Sequence, residues 1–99
     1  MSLASATEFA KLWSRVQPNV FAYVSATVRR FQDAEDVLQN VAVSGIRKFD
    51  QYDPDRPFVP WIIGIARIEI LKYLRAHGRD QHEFVDEELL VQLAGACER

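Results

Sequence analysis

Residues 33–75, DAEDVLQNVAVSGIRKFDQYDPDRPFVPWIIGIARIEILKYLR, decide the fold of this chain. Apolar residues recur at helical spacing on both sides of a polar insert at residues 50–60. The insert contains Pro54, Pro57 and Pro60, and a proline disfavours helical backbone at the residue before it. The pattern therefore predicts a helix, a loop stiffened by prolines and a second helix. The second helix is apolar around most of its circumference, so we expect it at the centre of the core.

A further helical pattern precedes this stretch, carried by Phe9, Leu12, Trp13, Val16, Val20, Phe21, Val24, Val28 and Phe31. Ser5 or Thr7 is expected to cap this first helix, and Pro18 is expected to kink or restart it. Asp33 is expected to cap the following helix, and Gly78 to end the last one. Together with a length of 99 residues, the pattern predicts one all-α domain, a compact bundle of three to five helices.

Charge is distributed unevenly along the chain. The formal net charge is −2, but residues 1–79 hold 11 basic and 8 acidic residues, and residues 80–99 hold 1 and 6. The body is therefore mildly basic and the tail acidic, which fits a nucleic-acid-binding body better than the net charge does. For the tail, a short helix over residues 83–93 and a solvated linker both fit.

Composition limits the class of protein. One cysteine, Cys97, cannot form a disulfide framework, and neither a signal peptide nor a membrane-spanning run is visible. We therefore expect a cytoplasmic protein that does not contact a membrane. The residues His77, His82 and Cys97 lack the spacing of a zinc site, and the acids of the insert lack the glycine and glutamate of a calcium loop. We expect no metal, no cofactor and no enzymatic activity.

Aromatic and basic side chains cluster around the insert. Phe49, Tyr52, Phe58 and Trp61 stand there with Arg56. Rings that stack on bases and cations that neutralise phosphates are the groups that bind single-stranded DNA. Core packing is the competing explanation: it is favoured for the two phenylalanines, which continue apolar stripes, and both roles remain open for the tyrosine and the tryptophan.

Polar residues form one face of the helix that precedes the insert. Asp36, Gln39, Asn40 and Ser44 follow one another at intervals that share a helical surface. A plain solvated face explains this pattern as well as a binding surface does.

The stretch resembles region 2 of bacterial RNA polymerase sigma factors of the sigma-70 family, and most of all the extracytoplasmic-function (ECF) group. DAEDVLQNV is similar to that group's D-A-E-D-x-x-Q-E-x pattern. KFDQYDPDRPFVPWIIGIAR is similar to its aromatic segment, Asp-Pro turn and W-x-x-x-I-A-R signature. The resemblance covers nearly all of residues 7–79 and implies a helical, non-catalytic transcription initiation domain.

The resemblance also implies partners and sites. Residues 33–48 would bind a coiled coil on the beta-prime subunit of core RNA polymerase, and residues 50–60 would capture a flipped non-template base of the minus-ten promoter element. The implied polymerase-binding residues are Asp36, Gln39, Asn40 and Ser44. The implied DNA-binding residues are Tyr52, Arg56, Phe58, Trp61, Arg67, Lys72 and Arg75. An anti-sigma factor is a further candidate partner.

Some positions depart from the family pattern. The family often places Asn after I-A-R, where this chain has Ile68, and polar or basic residues before it, where this chain has Ile63 and Gly64. These departures motivate an alternative function, a regulatory or structural helical module that has lost promoter DNA binding. The family's second domain, region 4, does not follow here. We therefore expect a domain fragment, with the region 2 domain over residues 1–79 and an acidic interdomain linker over residues 80–99.

Overall fold

Three α-helices and one short 3₁₀ helix form residues 2–77, the part of the chain that this computed structural model describes. Helix α1 spans Leu3–Thr27, α2 spans Phe31–Arg47 and α3 spans Phe58–Ala76. The 3₁₀ helix, Phe49–Gln51, follows α2 and opens the loop that leads to α3. Residues 2–77 contain no β-strand. The prediction of an all-α bundle is therefore confirmed.

Helix α1 begins earlier than its predicted cap. The Ser2 side chain accepts a hydrogen bond from the Ser5 backbone N–H at 3.1 Å and so caps the helix. The prediction of Ser5 or Thr7 as the cap is wrong, and Thr7 Oγ1 instead donates to the Leu3 carbonyl at 2.9 Å. The alanines at positions 4 and 6 favour helix, which extends α1 back to the first available capping serine.

Helix α1 continues through Pro18. The predicted restart at this residue does not occur, because Pro18 lies inside a single helix. Val16 and Val20 are both buried on either side of it, so both halves of α1 pack on the same core. The free energy gained from this burial exceeds the free energy lost with the backbone hydrogen bond that a proline removes.

Helix α2 begins at Phe31, before the predicted cap. Arg30 occupies the N-cap position, and its side chain makes no capping hydrogen bond. Asp33 lies in the first turn instead, where its carboxylate accepts a hydrogen bond from Tyr73 of α3. The prediction that Asp33 caps α2 is therefore wrong, because a tertiary partner takes its carboxylate.

The core lies between the three helices and is built from side chains that are less than a tenth exposed. They include Phe9, Val16, Val20, Tyr23, Val24, Val37, Leu38, Val41, Ile62, Ile65, Ile70 and Leu74. Helix α3 buries more of its positions than α1 or α2 does, as its nearly all-round apolar pattern predicts. Pro60 lies in its first turn, as predicted, where the missing N–H costs no helical bond.

Gly45 lies where α2 is in close contact with its neighbours. A Cβ atom on Gly45 would lie 2.8 Å from Ile62 Cδ1 and 3.0 Å from Phe9 Cε2. Both neighbours belong to the buried core, so the space beside Gly45 is already filled. The glycine therefore lets α2 pack tightly against both α1 and α3.

Within residues 2–77, none of the helices combines the length and the apolar character that a bilayer crossing requires. The predicted cap Gly78 and the predicted linker over residues 80–99 lie outside the described residues.

Candidate functional site

The loop between α2 and α3 is anchored by a cluster of five aromatic rings. We call this the aromatic cluster; it consists of Phe9, Phe49, Tyr52, Phe58 and Trp61. The Tyr52 ring centroid lies 5.2 Å from that of Trp61, 5.5 Å from Phe58 and 5.6 Å from Phe49. Phe9 joins the cluster from α1, edge-on to Phe49 and to Phe58. Such offset and edge-on pairs add to the stability that the burial of the rings supplies.

Burial separates the roles of these rings. Phe58 is buried, and Phe49 packs against the core while partly exposed, so the prediction of core packing for both is confirmed. Tyr52 and Trp61 are also partly buried against the core. The side chains of Tyr52 and Trp61 are therefore each held in part by the aromatic cluster, and the remainder of each side chain is accessible to a ligand.

A cavity of about 600 Å³ opens beside the loop, and we call it the loop cavity. Tyr52, Arg56 and Trp61, three of the predicted DNA-binding residues, line it together. The remaining lining residues are Gln51, Asp53, Pro57 and Pro60. The cavity therefore presents two aromatic side chains and one guanidinium group. Its two prolines restrict the backbone conformations of the loop that lines it.

Short-range hydrogen bonds hold the backbone of this loop. The Asp55 N–H donates to Asp53 Oδ1 at 2.9 Å, and the Arg56 N–H donates to the Asp53 carbonyl at 3.0 Å. The Tyr52 hydroxyl donates to the Arg56 carbonyl, which ties the ring to the far side of the turn. The Arg56 guanidinium lies 3.8 Å from the Asp53 carboxylate, and both side chains are mostly exposed. So exposed a pair stabilises little, and a phosphate group could compete for the arginine.

A second cavity, of about 370 Å³, lies between α2 and the C-terminal half of α3, and we call it the α2–α3 groove. Its lining residues are Asp33, Asp36, Val37, Asn40, Glu69, Lys72, Tyr73, Ala76 and His77. At one end the Tyr73 hydroxyl donates to Asp33 Oδ2 at 2.7 Å, and the Tyr73 ring stacks on His77 with centroids 4.1 Å apart. These contacts tie the end of α3 to the start of α2.

Glu69 joins the two helices at the other end of the groove. Its side chain is 8% exposed, and Oε2 accepts hydrogen bonds from Ser44 Oγ at 3.2 Å and from Lys72 Nζ at 3.1 Å. A buried carboxylate requires such partners, because an unpaired charge away from water is costly. Glu69 is not among the residues that the sequence motifs indicate. Its signal is a charged residue inside the apolar run IARIEIL.

The structure separates the predicted site residues into different places. Asp36 and Asn40 line the groove and are exposed, and Gln39 is exposed on the same helix. The Ser44 hydroxyl is used within the molecule by Glu69. Lys72, predicted to bind DNA, lines the α2–α3 groove with Asp36 and Asn40 and not the loop cavity.

The other two predicted DNA-binding cations also lie away from the loop cavity. Arg67 is partly buried and Arg75 is exposed in the last turn of α3. Among residues 2–77, no group of three or more His, Cys, Asp or Glu side chains could hold a metal ion. The loop cavity and the α2–α3 groove present aromatic rings, hydrogen-bonding groups and charged side chains to a ligand.

Comparison with known proteins identifies the family. The model of the family described as Sigma-70 region 2 matches residues 12–80, which include α2, the loop and α3. The RNA polymerase sigma factor CarQ of Myxococcus xanthus is 38% identical over 58 residues, 59% of this chain and 33% of the relative. The chain thus spans about a third of the length of this curated relative. No solved structure matches the chain. Because the family match covers well over half of the sequence, the chain belongs to the sigma-70 family and carries its region 2 domain.

Proposed function

We propose that this chain is the part of an ECF-type sigma factor that docks on core RNA polymerase and captures the melted minus-ten element of a promoter. The match of Sigma-70 region 2 to residues 12–80 carries this proposal, because it includes both α2 and the loop. The domain would act by binding alone, without catalysis, in the cytoplasm where the polymerase works. An anti-sigma factor would be a regulatory partner of the same domain.

The loop cavity supports the DNA part of the proposal. Tyr52, Trp61 and Arg56 line it, and the aromatic cluster holds the two rings against the core. Extruding a base from a stacked strand costs a few kcal/mol, and stacking on an aromatic ring returns about 1–3 kcal/mol per base. Phe58 is buried and packs against the rings of Tyr52 and Trp61, so it would support these two rings and would not contact the DNA itself.

Helix α2 supports the polymerase part. Asp36, Gln39 and Asn40 expose their side chains on this helix, and they offer carboxylate and amide groups to a partner. Ser44 would contribute indirectly, since its hydroxyl is bonded to Glu69. The partner would be the coiled coil of the beta-prime subunit, as the resemblance implies.

A docking assay tests the polymerase part. Immobilised beta-prime coiled coil should retain the 99-residue chain, and Gln39→Ala should weaken retention. Gln17→Ala is the matched control, because Gln17 is an exposed glutamine on α1, away from α2. Equal retention of the Gln39 variant and of wild type would reject docking through this face.

DNA binding is tested by fluorescence anisotropy with labelled single-stranded DNA at several salt concentrations. Removing one phosphate contact should lower the slope of log K against log salt by about 0.7. Arg56→Ala should show this change, whereas Arg15→Ala, an exposed arginine on α1, should not. Two identical slopes would reject a phosphate contact at Arg56.

The alternative, a module that has lost DNA binding, is favoured by one observation. Gly64 and Ile68 are exposed on α3, and neither side chain can hydrogen-bond to a base. This alternative would be supported if the chain binds the beta-prime coiled coil in the docking assay but binds no DNA, either alone or with core polymerase.

A further inference from the structure

Two phenylalanine rings form an exposed apolar patch where α1 is connected to α2. We call this the turn patch; it consists of Phe21, Arg29, Arg30 and Phe31. The Phe31 side chain is 67% exposed although it opens α2, and its ring lies edge-on to Phe21 with centroids 5.9 Å apart. Burying the apolar surface of a phenylalanine ring against a partner is favourable. Since the fold of residues 2–77 covers only part of Phe31, most of this surface is open to a partner.

The polar part of the turn patch is basic. Arg29 and Arg30 stand directly before Phe31, and both are exposed. Glu35, one helical turn after Phe31, is partly buried, and the carboxylate of Asp33 is bonded to α3. The two guanidinium groups are therefore the more exposed charges of this surface. A partner that combines apolar side chains with carboxylates matches the turn patch in both respects.

One segment of this chain has the same combination of groups, and it follows the described residues. Residues 83–93, which we call the acidic segment, read EFVDEELLVQL. They contain four acidic residues, no basic residue and six apolar residues. Their apolar side chains suit the two rings of the turn patch, and their carboxylates suit its two arginines. The acidic segment is therefore the occupant that the chemistry of this patch indicates.

The end of α3 brings the chain close to the turn patch. The His77 ring stacks on Tyr73, and the Tyr73 hydroxyl donates to Asp33 in the first turn of α2. Phe31 lies in the same turn, on the opposite side of a helix that is about 10–12 Å wide. Residues 78–83 can span about 20 Å when extended. This connection is therefore long enough for the acidic segment to reach Phe31.

We infer that the acidic segment docks on the turn patch of its own domain. Its apolar side chains cover the rings of Phe21 and Phe31, and its carboxylates pair with Arg29 and Arg30. The short connection favours this contact, because it keeps the acidic segment at a high effective concentration near the patch. Salt weakens the charge pairing but not the apolar contact. The inference does not depend on polymerase or DNA binding, so its failure would leave the proposed function unaffected.

Cys97, the single cysteine of the 99-residue chain, permits a specific test by NMR. It follows the acidic segment by four residues, which span at most about 14 Å. A nitroxide spin label on Cys97 should therefore broaden the amide signals of residues 29–32, which should lose most of their intensity. The amide signal of Lys11 should keep its intensity, because Lys11 lies about 24 Å along α1 from Thr27.

Substitutions in the turn patch test which groups hold the acidic segment. Phe31→Ser should restore most of the lost intensity, because the principal apolar contact is removed. Leu3→Ser is the matched control, since Leu3 is 84% exposed at the start of α1 and the same kind of side chain is removed. It should leave the broadening unchanged. Replacing Arg29 and Arg30 together by glutamine should weaken the broadening and make it less dependent on salt.

Three results would overturn the inference. The first is wild type without broadening at residues 29–32, and the second is equal broadening in wild type and Phe31→Ser. The third comes from a mixture of spin-labelled chain and isotope-labelled chain without the spin label: broadening as strong as within one molecule would assign the patch to a second copy. If circular dichroism shows that Phe31→Ser is unfolded, Phe84→Ser decides in its place, because it changes the acidic segment and leaves residues 2–77 intact.

Discussion

Gly45→Ala should destabilise the fold, although alanine is the better residue for a helix. The added Cβ would stand 2.8 Å from Ile62 Cδ1 and 3.0 Å from Phe9 Cε2, shorter than normal contacts between carbon atoms. The Ile62 methyl group lies at the end of a flexible side chain, but Ile62 is fully buried, so the methyl group cannot move aside into solvent. The Phe9 ring is rigid and is held by ring contacts with Phe49 and with Phe58.

The magnitude follows from two opposing terms. Inserting a methyl group into a filled core costs about 1–3 kcal/mol. Replacing glycine by alanine inside a helix returns about 0.5–1 kcal/mol. The difference is a loss of about 0–2.5 kcal/mol, centred near 1 kcal/mol, in the free energy of unfolding. Each kcal/mol lost lowers the Tm of a domain of this size by about 4–8 °C.

Urea denaturation measures this difference, followed by circular dichroism and by the fluorescence of Trp13 and Trp61. Gly64→Ala is the matched control, because the same substitution at an open helical position should stabilise by about 0.5–1 kcal/mol. Opposite signs for the two variants are therefore expected. If Gly45→Ala stabilises as much as Gly64→Ala does, the contact of α2 with Phe9 and Ile62 is looser than described, and the reasoning fails.

Three further substitutions test individual contacts. Tyr73→Phe should lower the free energy of unfolding by about 1–2 kcal/mol in urea denaturation, because the 2.7 Å bond to the Asp33 carboxylate is lost; an additive double-mutant cycle with Asp33→Asn would show that the two do not interact. Glu69→Gln should cost about 1 kcal/mol, since it removes the charge that faces a lysine at 3.1 Å, and it should make stability less dependent on salt; an unchanged salt dependence would contradict the pairing. Pro18→Ala should raise the unfolding free energy by about 1–3 kcal/mol, because α1 already continues through this residue; lower stability would mean that the proline ring itself packs in the fold.

Helical periodicity predicted the architecture because the spacing of apolar residues within each helix indicates which of its faces is buried. The apolar residues of α3 recur on nearly all sides, and this alone predicted its extensive burial. The same rule placed Asp36 and Gln39 on an exposed face of α2, which the structure confirms. The motifs around residues 33–41 and 61–67 predicted the sigma-70 family, which the match to residues 12–80 shows.

Local signals were less successful at helix ends and at side-chain partners. Ser2, and not Ser5 or Thr7, caps α1, because several nearby residues can serve as caps and the sequence does not rank them. Asp33 has the chemistry of a helix cap, but its carboxylate binds Tyr73, 40 positions later in the sequence. No pattern within one helix reports a partner at that separation.

The sequence by itself determined the helical class, the extensive burial of α3 and the family, since these depend on spacing along the chain. Only the tertiary structure decided which partners the polar side chains of residues 33–75 contact and which surfaces they line. The crossing of α2 and α3 commits Ser44 to Glu69, turns Lys72 toward the α2–α3 groove, and leaves Tyr52, Arg56 and Trp61 together at the loop cavity. It also distinguishes Gly45 from Gly64, because the space around a glycine depends on which helix lies beside it.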